Sequence, residues 1–308
     1  MKKVIIVGHK NPDTDSIISA IAAQELFSNL GFEAQARRAG EVNNETKFIL
    51  KKLDIVMPDL VTALQEDETV MLVDHNEESQ VFDQLDYNKV SHIIDHHKLA
   101  VKTEVPIFCR VESIGSTSSL IAKMFFERGI ELSQKTAQLL MSGILSDTLN
   151  LTSPTTTVED KELLEKLNEI AELNIDVFVT EMFEAKSSLD GISVEDIIRI
   201  DYKSFEMGEY NVGVGTWETT MPESVSTKKA EIIQALIREK EAVKLDYVFF
   251  MVVDILKQNC QLYLVGEKEQ ELAVKVFAGK INDDEMFLPG VVSRKKQIVP
   301  QLTEMLSK

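Results

Sequence analysis

The sequence predicts an α/β protein with two domains: an N-terminal doubly wound, mainly parallel sheet with helices on both faces, and a smaller C-terminal α+β domain with a mixed sheet. In the first half of the chain, short apolar runs alternate with helical patterns, which is typical of parallel strands buried on both faces. In the second half, strand-like segments surround one charged helical stretch. The length of 308 residues also favours two cores over one.

The elements of the first domain follow from apolar periodicity and from the turn residues between the runs. The run "VIIV" ends at Gly8, and an apolar-periodic segment follows the turn. The predicted strands are 4–7, 34–38, 70–73, 91–94 and 106–110. The predicted helices are 17–30, 45–53, 116–128, 134–146 and 158–173. This alternation indicates crossover connections between parallel strands.

The pattern changes after Ser187–Gly191, a Ser-Ser-Leu-Asp-Gly segment that is the best linker candidate in the chain. The predicted strands beyond it are 197–205, 210–217, 247–253 and 261–265, and the predicted helix is 227–243. We therefore divide the chain into a first domain at 1–186, a linker or hinge at 187–194, and a second domain at 195–308.

The charge and the cysteines exclude several classes of protein. A net charge of −18 without a Lys/Arg-rich stripe argues against nucleic acid as a partner. No apolar run approaches the roughly 20 residues that a membrane-spanning helix requires, and no signal peptide pattern follows Met1, so we expect a cytoplasmic protein without a membrane partner. Cys109 and Cys260 are far apart and lack a CxxC partner, which indicates neither a disulfide framework nor a thiolate zinc site.

Histidine and aspartate follow three of the predicted strands. The segments are "VIIVGHKNPDTDS", "VMLVDHNE" and "HIIDHHK", and all five histidines of the chain lie within the first 97 residues. Because parallel strands place their carboxyl ends at one edge of the sheet, we expect these side chains to form a cluster. The alternative is a solvated polar rim in which the aspartates only cap helices.

The mixture of ligand types predicts a pair of metal ions. Imidazole and carboxylate together favour Mn, Fe, Co or Zn over calcium. A carboxylate can bridge two such ions, and metal pairs drive in-line displacement at phosphorus. Without metal, carboxylates at close range would raise one another's pKa values. Asp147 in "ILSDT" is a further candidate, although a single Asp near a helix end is commonly a cap or solvated.

A basic triplet in the second domain supplies positive charge. The segment "GVVSRKKQ" places Arg294, Lys295 and Lys296 at the start of a predicted helix. Because the helix dipole disfavours basic residues there, a bound anion is a more coherent interpretation than a basic surface turn. Arg can fork two phosphate oxygens, and Lys adds a point charge. Lys203, taken alone, is an ordinary strand lysine.

These motifs resemble those of family II inorganic pyrophosphatases, which are manganese-dependent members of the DHH phosphoesterase superfamily. The resemblance rests on "GHKNPDTDS", "VDHNE", "IDHHK", "ILSDT" and "GVVSRKKQ", and it covers essentially the whole chain. The DHH triplet is shared by the superfamily, whereas its combination with "SRKKQ" is far more specific.

The resemblance implies a role for each motif residue. The implied metal ligands are His9 and Asp13 for one ion, Asp15, His96 and Asp147 for the other, and Asp74 as the bridge between them. The implied catalytic residues that contact substrate are His97, Lys203, Arg294 and Lys295. Among these, His97 would protonate the leaving phosphate. Asp95 is expected to orient a histidine without binding metal, and His75 is expected to support the site rather than ligate an ion. Lys296 is expected to face away from the substrate.

The implied reaction is hydrolysis of pyrophosphate to two orthophosphates by a hydroxide that bridges two Mn²⁺ ions per subunit, in a cleft between the domains. Co²⁺ is an alternative metal because the ligand set accepts both ions, and Mg²⁺ is expected to arrive with the substrate. The resemblance also implies a homodimer.

Two alternative functions stay open. One is another DHH phosphoesterase, either an exopolyphosphatase or a nuclease that acts on short oligonucleotides. The same resemblance implies that members of the nuclease branch carry a Gly-rich "GGGH"-type motif in their second domain. This chain has no such run. The other alternative is a non-catalytic metal- or nucleotide-responsive binding protein, which would not need a metal pair together with a cation triplet.

Overall fold

The chain folds as two units in the computed structural model, which describes residues 3–61, 63–83, 85–189 and 191–307. The units are Met1–Lys186 and Ser187–Lys308. Asp190, in the predicted linker 187–194, lies outside the described residues. Ser187 and Leu189 of that linker are buried, and Leu189 packs into an apolar cluster of the second unit.

The first unit contains a five-stranded sheet in the order β2-β1-β3-β4-β5, and all of its paired strands are parallel. The strands are β1 (Lys3–Val7), β2 (Glu33–Arg37), β3 (Glu68–Val73), β4 (Val90–Asp95) and β5 (Phe108–Val111). The predicted parallel sheet is therefore confirmed. The strand order reverses between β1 and β3, which is the position where open α/β sheets bind ligands.

Helices of the first unit begin at side chains that cap them. The helices are α1 (Thr14–Asn29), α2 (Asn44–Lys52), α3 (Thr117–Arg128), α4 (Gln134–Asp147), α5 (Val158–Ala171) and α6 (Ile175–Lys186). Helix α1 begins three residues before the predicted start because the Asp13 carboxylate caps it and accepts from the Ser16 backbone N–H. Ser116 caps α3 in the same way. Helix α6 was not predicted from the sequence.

Close packing of α4 on α1 and α3 depends on one glycine. A Cβ atom at Gly143 of α4 would overlap the Ser118 hydroxyl of α3 and lie 2.9 Å from Oδ1 of Asp15 in α1. The Ser19 and Ser118 hydroxyls are hydrogen-bonded to each other at 3.2 Å across α1 and α3. Any side chain at position 143 would therefore push the three helices apart.

The second unit contains a six-stranded mixed sheet in the order β10-β11-β9-β8-β7-β6, in which only β7 and β8 pair in parallel. Its strands are β6 (Tyr202–Met207), β7 (Tyr210–Thr219), β8 (Tyr247–Asp254), β9 (Asn259–Leu264), β10 (Ile281–Asn282) and β11 (Glu285–Pro289). Its helices are α7 (Val194–Arg199), α8 (Pro222–Ser226), α9 (Lys229–Ala242), α10 (Glu267–Phe277) and α11 (Val299–Leu306). The predicted α+β domain with a mixed sheet is confirmed.

Strand β8 is buried on both faces. Phe249 and Met251 belong to one apolar cluster, together with residues of α10 and α11. Phe250 and Val252 belong to another, together with residues of α7 and α9. Helices therefore cover both faces of this sheet, and a continuous apolar run at 248–253 is the sequence pattern that such a position requires.

The predicted strand at 197–205 is wrong in its first part. Residues Val194–Arg199 form α7, because the Ser193 hydroxyl caps a helix there and accepts from the Asp196 backbone N–H. The strand begins only at Tyr202. The single helix predicted at 227–243 is preceded by a separate short helix, α8. Within the described ranges, no helix is both long and apolar enough to cross a membrane.

We predict that Gly143→Ala destabilises the metal-free protein by about 1–3 kcal/mol, because overpacking forces α4 away from α1 and α3. Urea denaturation followed by circular dichroism measures this change. Gly266→Ala is the control, since a Cβ atom there would lie 3.7 Å from its nearest neighbour and its backbone is extended. An equal loss of stability in both variants would contradict the packing argument.

Candidate metal centre

Polar side chains lie at the carboxyl ends of β1, β3 and β4. His9 follows β1 by two residues, Asp74 follows β3 directly, and His96 follows the last residue of β4. Asp74 has a φ of 63°, in the left-handed region, and its N–H donates to the Ile94 carbonyl at 3.0 Å. Aspartate tolerates this conformation better than most residues. The turn places its carboxylate between β1 and β4.

One group of candidate ligands contains His9, Asp13 and Asp74. A donor atom from each lies within 4.8 Å of the others. Nε2 of His9 is 3.6 Å from Oδ1 of Asp13 and 3.5 Å from Oδ2 of Asp74. The loop between β1 and α1 therefore supplies two members of this group, and the end of β3 supplies the third.

A second group contains Asp15, His96 and Asp147, again with donor atoms within 4.8 Å of one another. Nε2 of His96 is 3.3 Å from Oδ2 of Asp147 and 3.4 Å from Oδ1 of Asp74. Asp74 thus presents Oδ2 to His9 of the first group and Oδ1 to His96 of the second. This arrangement of two oxygens is the one that a bridging carboxylate requires.

The carboxylates of the two groups lie close enough to shift one another's pKa values. Burial, with the nearby charges of Asp15 and Asp74, raises the pKa of Asp147 to about 9. Burial and the Asp74 charge likewise raise the pKa of Asp15 to about 7. Burial also disfavours the Asp74 anion, but His9 and His96 hold its pKa well below the usual range. The cluster therefore carries more carboxylate than its surroundings can neutralise.

The same carboxylates also shift the pKa values of the two histidines. Burial alone would lower the pKa of His9 and of His96, but the facing carboxylates raise each to about 10. Among the described atoms, Nε2 of His96 is buried and makes no hydrogen bond of good geometry. Divalent cations would provide the positive charge that these carboxylates need and would use the same imidazole nitrogens. The residues present therefore fit a metal centre.

The N-terminus of α3 donates hydrogen bonds to two carboxylates of the cluster, and these contacts were not predicted from the sequence. The N–H groups of Thr117 and Ser118 donate to the two Asp15 oxygens at 2.7 and 3.0 Å. The Thr117 hydroxyl donates to Oδ1 of Asp74 at 2.9 Å. Helix N-termini bind anions, and here the anion is a carboxylate of the protein. The segment "GSTSS" before an apolar helix was the available signal.

Further hydrogen bonds fix the orientation of the histidine rings. Nδ1 of His96 donates to the Ile114 carbonyl at 3.0 Å, which leaves Nε2 for the cluster. Nδ1 of His75 similarly donates to the Val73 carbonyl at 2.9 Å. His75 is buried, and its Nε2 has no hydrogen-bond partner among the described atoms.

The exposed histidine next to the cluster is His97. Its Nδ1 and its backbone N–H both donate to Oδ1 of Asp95, at 2.9 and 3.1 Å. The hydrogen bond to Asp95 raises the pKa of His97. Asn76 donates to the other Asp95 oxygen, Oδ2. Since Asp95 holds Nδ1, Nε2 is the ring nitrogen left for a ligand.

A cavity of about 270 Å³ adjoins the cluster. Its lining includes three candidate ligands, His9, Asp13 and Asp74. It also includes the neighbouring residues His97, Lys98 and Gln80. A small anion bound in this cavity would contact the candidate ligands of the first group and the imidazole of His97.

In the second unit, one edge of the Arg294 guanidinium is held by the fold. Nη1 donates to the carbonyls of Asp201 and Val214 at 2.6 and 3.1 Å, and Nη2 donates to Oδ1 of Asp201 at 2.7 Å. In the part of the chain that the structure describes, nothing accepts from Nε or from the second Nη2 hydrogen. These two donors form the side-on edge of the guanidinium, which matches a phosphate or a carboxylate.

The predicted cations of the second unit lie close to one another in the fold. Lys203 of β6 is exposed and pairs in register with Val214, whose carbonyl accepts from Arg294. Lys295 is exposed and follows Arg294 in a π-helical turn that Ser293 caps. This turn leads into α11. The structure thus brings Lys203 and Arg294 to one place at the β6 side of the sheet.

Both units match family models. Residues 3–144 match the N-terminal domain of the DHH family, and residues 180–305 match the DHHA2 domain. A probable manganese-dependent inorganic pyrophosphatase of Clostridium acetobutylicum is 40% identical to the chain over 304 residues, with 98% of each chain covered. The manganese-dependent inorganic pyrophosphatase of Methanocaldococcus jannaschii is 40% identical over 306 residues, covering 96% of this chain and 97% of that protein. The chain belongs to the manganese-dependent inorganic pyrophosphatase family.

Solved structures agree with this family membership. The crystal structure of a Methanococcus jannaschii putative family II inorganic pyrophosphatase matches with a TM-score of 0.65 and 38% identity, covering 99% of this chain and all of that one. An exopolyphosphatase-related protein from Bacteroides fragilis matches with a TM-score of 0.53 and 17% identity, covering 99% and 93%. The second likeness shows the fold alone.

We predict that Mn²⁺ raises the melting temperature of this protein, because ions that bind only the folded state stabilise it by about 2.7 kcal/mol at 100 times their Kd. Differential scanning calorimetry with and without Mn²⁺ measures the shift. Asp74→Asn should lose most of it, since Asp74 faces both groups of ligands. Asp59→Asn is the control, because Asp59 is exposed on the loop after α2. A melting temperature of the wild-type protein that does not change with Mn²⁺ would contradict the prediction of a metal centre.

Proposed function

We propose that this protein hydrolyses inorganic pyrophosphate to two orthophosphates with a pair of divalent ions, Mn²⁺ foremost. The observation that carries the proposal is the position of Asp74, which offers one oxygen to each of two His/Asp groups. Full-length relatives at about 40% identity, named as manganese-dependent inorganic pyrophosphatases, support the choice of substrate and metal.

The proposed ligands divide between the two ions. His9 and Asp13 hold one, Asp15, His96 and Asp147 hold the other, and Asp74 is shared. Bound divalent ions would polarise a phosphoryl oxygen and lower the pKa of a water molecule, which creates a nucleophile at neutral pH. Co²⁺ suits the same ligands, and Mg²⁺ is proposed to accompany the substrate.

His97 is the proposed proton donor to the leaving phosphate. The Asp95 carboxylate fixes its Nδ1 at 2.9 Å, so the proton that leaves comes from Nε2. In the reaction, one water molecule adds to a phosphorus atom while the P–O bond of the anhydride breaks. The oxygen of the water stays on one orthophosphate and one of its protons passes to solvent, while the other orthophosphate leaves with the proton from His97, which regains a proton from solvent.

Arg294, with Lys203 and Lys295, is the proposed phosphate-binding group of the second unit. Asp201 and two backbone carbonyls hold the end of the Arg294 guanidinium, so the phosphate is proposed to accept from Nε and Nη2 along the side-on edge. Cations at this position neutralise charge that develops on the phosphoryl oxygens in the transition state. The hinge role of 187–194, the homodimer and the cytoplasmic location remain predictions.

The test of the proposed function is phosphate release from pyrophosphate with Mn²⁺ and with Mg²⁺ alone, in parallel with tripolyphosphate and a short oligonucleotide. We expect rapid, Mn²⁺-activated turnover of pyrophosphate only. A preference for the longer substrates would instead place the protein with other DHH phosphoesterases. No phosphate release from any of them would favour a binding protein.

We predict that Arg294→Lys lowers kcat/KM for pyrophosphate roughly 10- to 100-fold. Lysine cannot keep the three held hydrogen bonds and also present two parallel donors, and losing a charged hydrogen bond costs about 1.5–3 kcal/mol. Steady-state kinetics measures the change. Lys296→Ala is the control, because this neighbouring lysine is exposed and has no proposed contact with substrate. An unchanged kcat/KM in Arg294→Lys would show that only the positive charge matters, and an equal loss in Lys296→Ala would contradict the specific role of Arg294.

A further inference from the structure

A buried glutamate, Glu45, lies behind the loops that carry the candidate ligands. It is the second residue of α2 and is only 1% exposed. Its Oε2 accepts from the hydroxyls of Thr14 and Ser146, each at 2.8 Å. Nζ of Lys186, at the end of α6, is 3.3 Å from the same oxygen. None of these residues contributes to the ligand groups described above.

The two hydroxyls belong to residues adjacent to candidate ligands. Thr14 lies between Asp13 and Asp15, and Ser146 directly precedes Asp147. One carboxylate oxygen therefore links the start of α1 to the end of α4. The three neighbouring aspartates come from both ligand groups. A shift of Glu45 would change the separation between the loop of the first group and the helix end of the second.

Packing alone does not explain why this position carries a charge. A buried carboxylate needs hydrogen bonds and a counterion to offset its desolvation, whereas a glutamine could accept from the same hydroxyls at lower cost. Lys186 provides the counterion, and its Nζ also lies 3.4 Å from the Ser146 hydroxyl. The charge strengthens both hydroxyl bonds, since hydrogen bonds to an ionised acceptor are roughly twice as strong.

We infer that Glu45 is a positioning residue for the metal centre: its carboxylate fixes the distance between the Asp13–Asp15 loop and Asp147. The inference rests on the proposed function in that it assumes a metal pair. Outer hydrogen bonds of this kind typically change metal affinity about 10- to 100-fold when they are removed. The positioning role requires no contact between Glu45 and substrate, since Glu45 acts only through Thr14 and Ser146.

The test is the Mn²⁺ affinity of the full-length protein, measured from the signal of free Mn²⁺ in electron paramagnetic resonance titrations. Glu45→Gln keeps the shape and removes the charge, and we expect it to bind Mn²⁺ about 10-fold more weakly or worse. The matched control is Glu181→Gln. Glu181 of α6 pairs with Lys52 of α2 at 2.6 Å, so it joins the same two helices without contacting the ligand loops.

A Glu45→Gln variant with wild-type Mn²⁺ affinity would overturn the inference, and so would an equal loss in Glu181→Gln, which would indicate a general loosening of α2 against α6. Should Glu45→Gln fail to fold, Thr14→Val and Thr14→Ser decide the question. The valine should weaken Mn²⁺ binding about 10-fold and the serine should restore it, whereas equal affinities would refute the account. A wild-type protein that binds Mn²⁺ but releases no phosphate from pyrophosphate would contradict the proposed function alone.

Discussion

Three carboxylates, those of Asp15, Asp74 and Asp147, surround the imidazole of His96 at the carboxyl edge of the first sheet. Asp15 and Asp74 are almost fully buried, so water and salt screen their repulsion weakly. The fold therefore has to supply compensating charge and hydrogen-bond donors at this edge. Imidazoles with raised pKa values supply part of that charge, and a pair of divalent ions would supply more while replacing the imidazole protons.

Much of the first unit serves to keep these carboxylates in place. The α3 N-terminus donates to Asp15 and Asp74, and Asp160 of α5 accepts from the Gly115 N–H and the Ser119 hydroxyl at the same end of α3. Gly143 lets α4 approach closely enough to bring Asp147 to the cluster. The support thus comes from helices that are distant in sequence from the β-strands that carry the histidines.

The sequence predicted those features that depend on local pattern. Buried β-branched runs predicted the parallel strands, and His and Asp directly after them predicted the residues that meet at the sheet edge. It did not predict Thr117 or Glu45, because a threonine at a helix start and a glutamate in an amphipathic helix have ordinary local explanations. Only tertiary packing shows that their neighbours are Asp74 and Ser146. The strand predicted at 197–205 failed for a local reason, since the cap at Ser193 outweighed the β-branched residues that follow it.

We propose that Asp74 joins two metal ions rather than completing the ligands of a single ion. Electron paramagnetic resonance of the Mn²⁺-loaded protein tests it most directly, because two manganese ions that share a carboxylate are magnetically coupled. We predict two ions per chain and the spectrum of a coupled pair in the wild-type protein, and the loss of that coupled spectrum in Asp74→Asn. A single bound ion, or two ions without coupling in the wild-type protein, would contradict it.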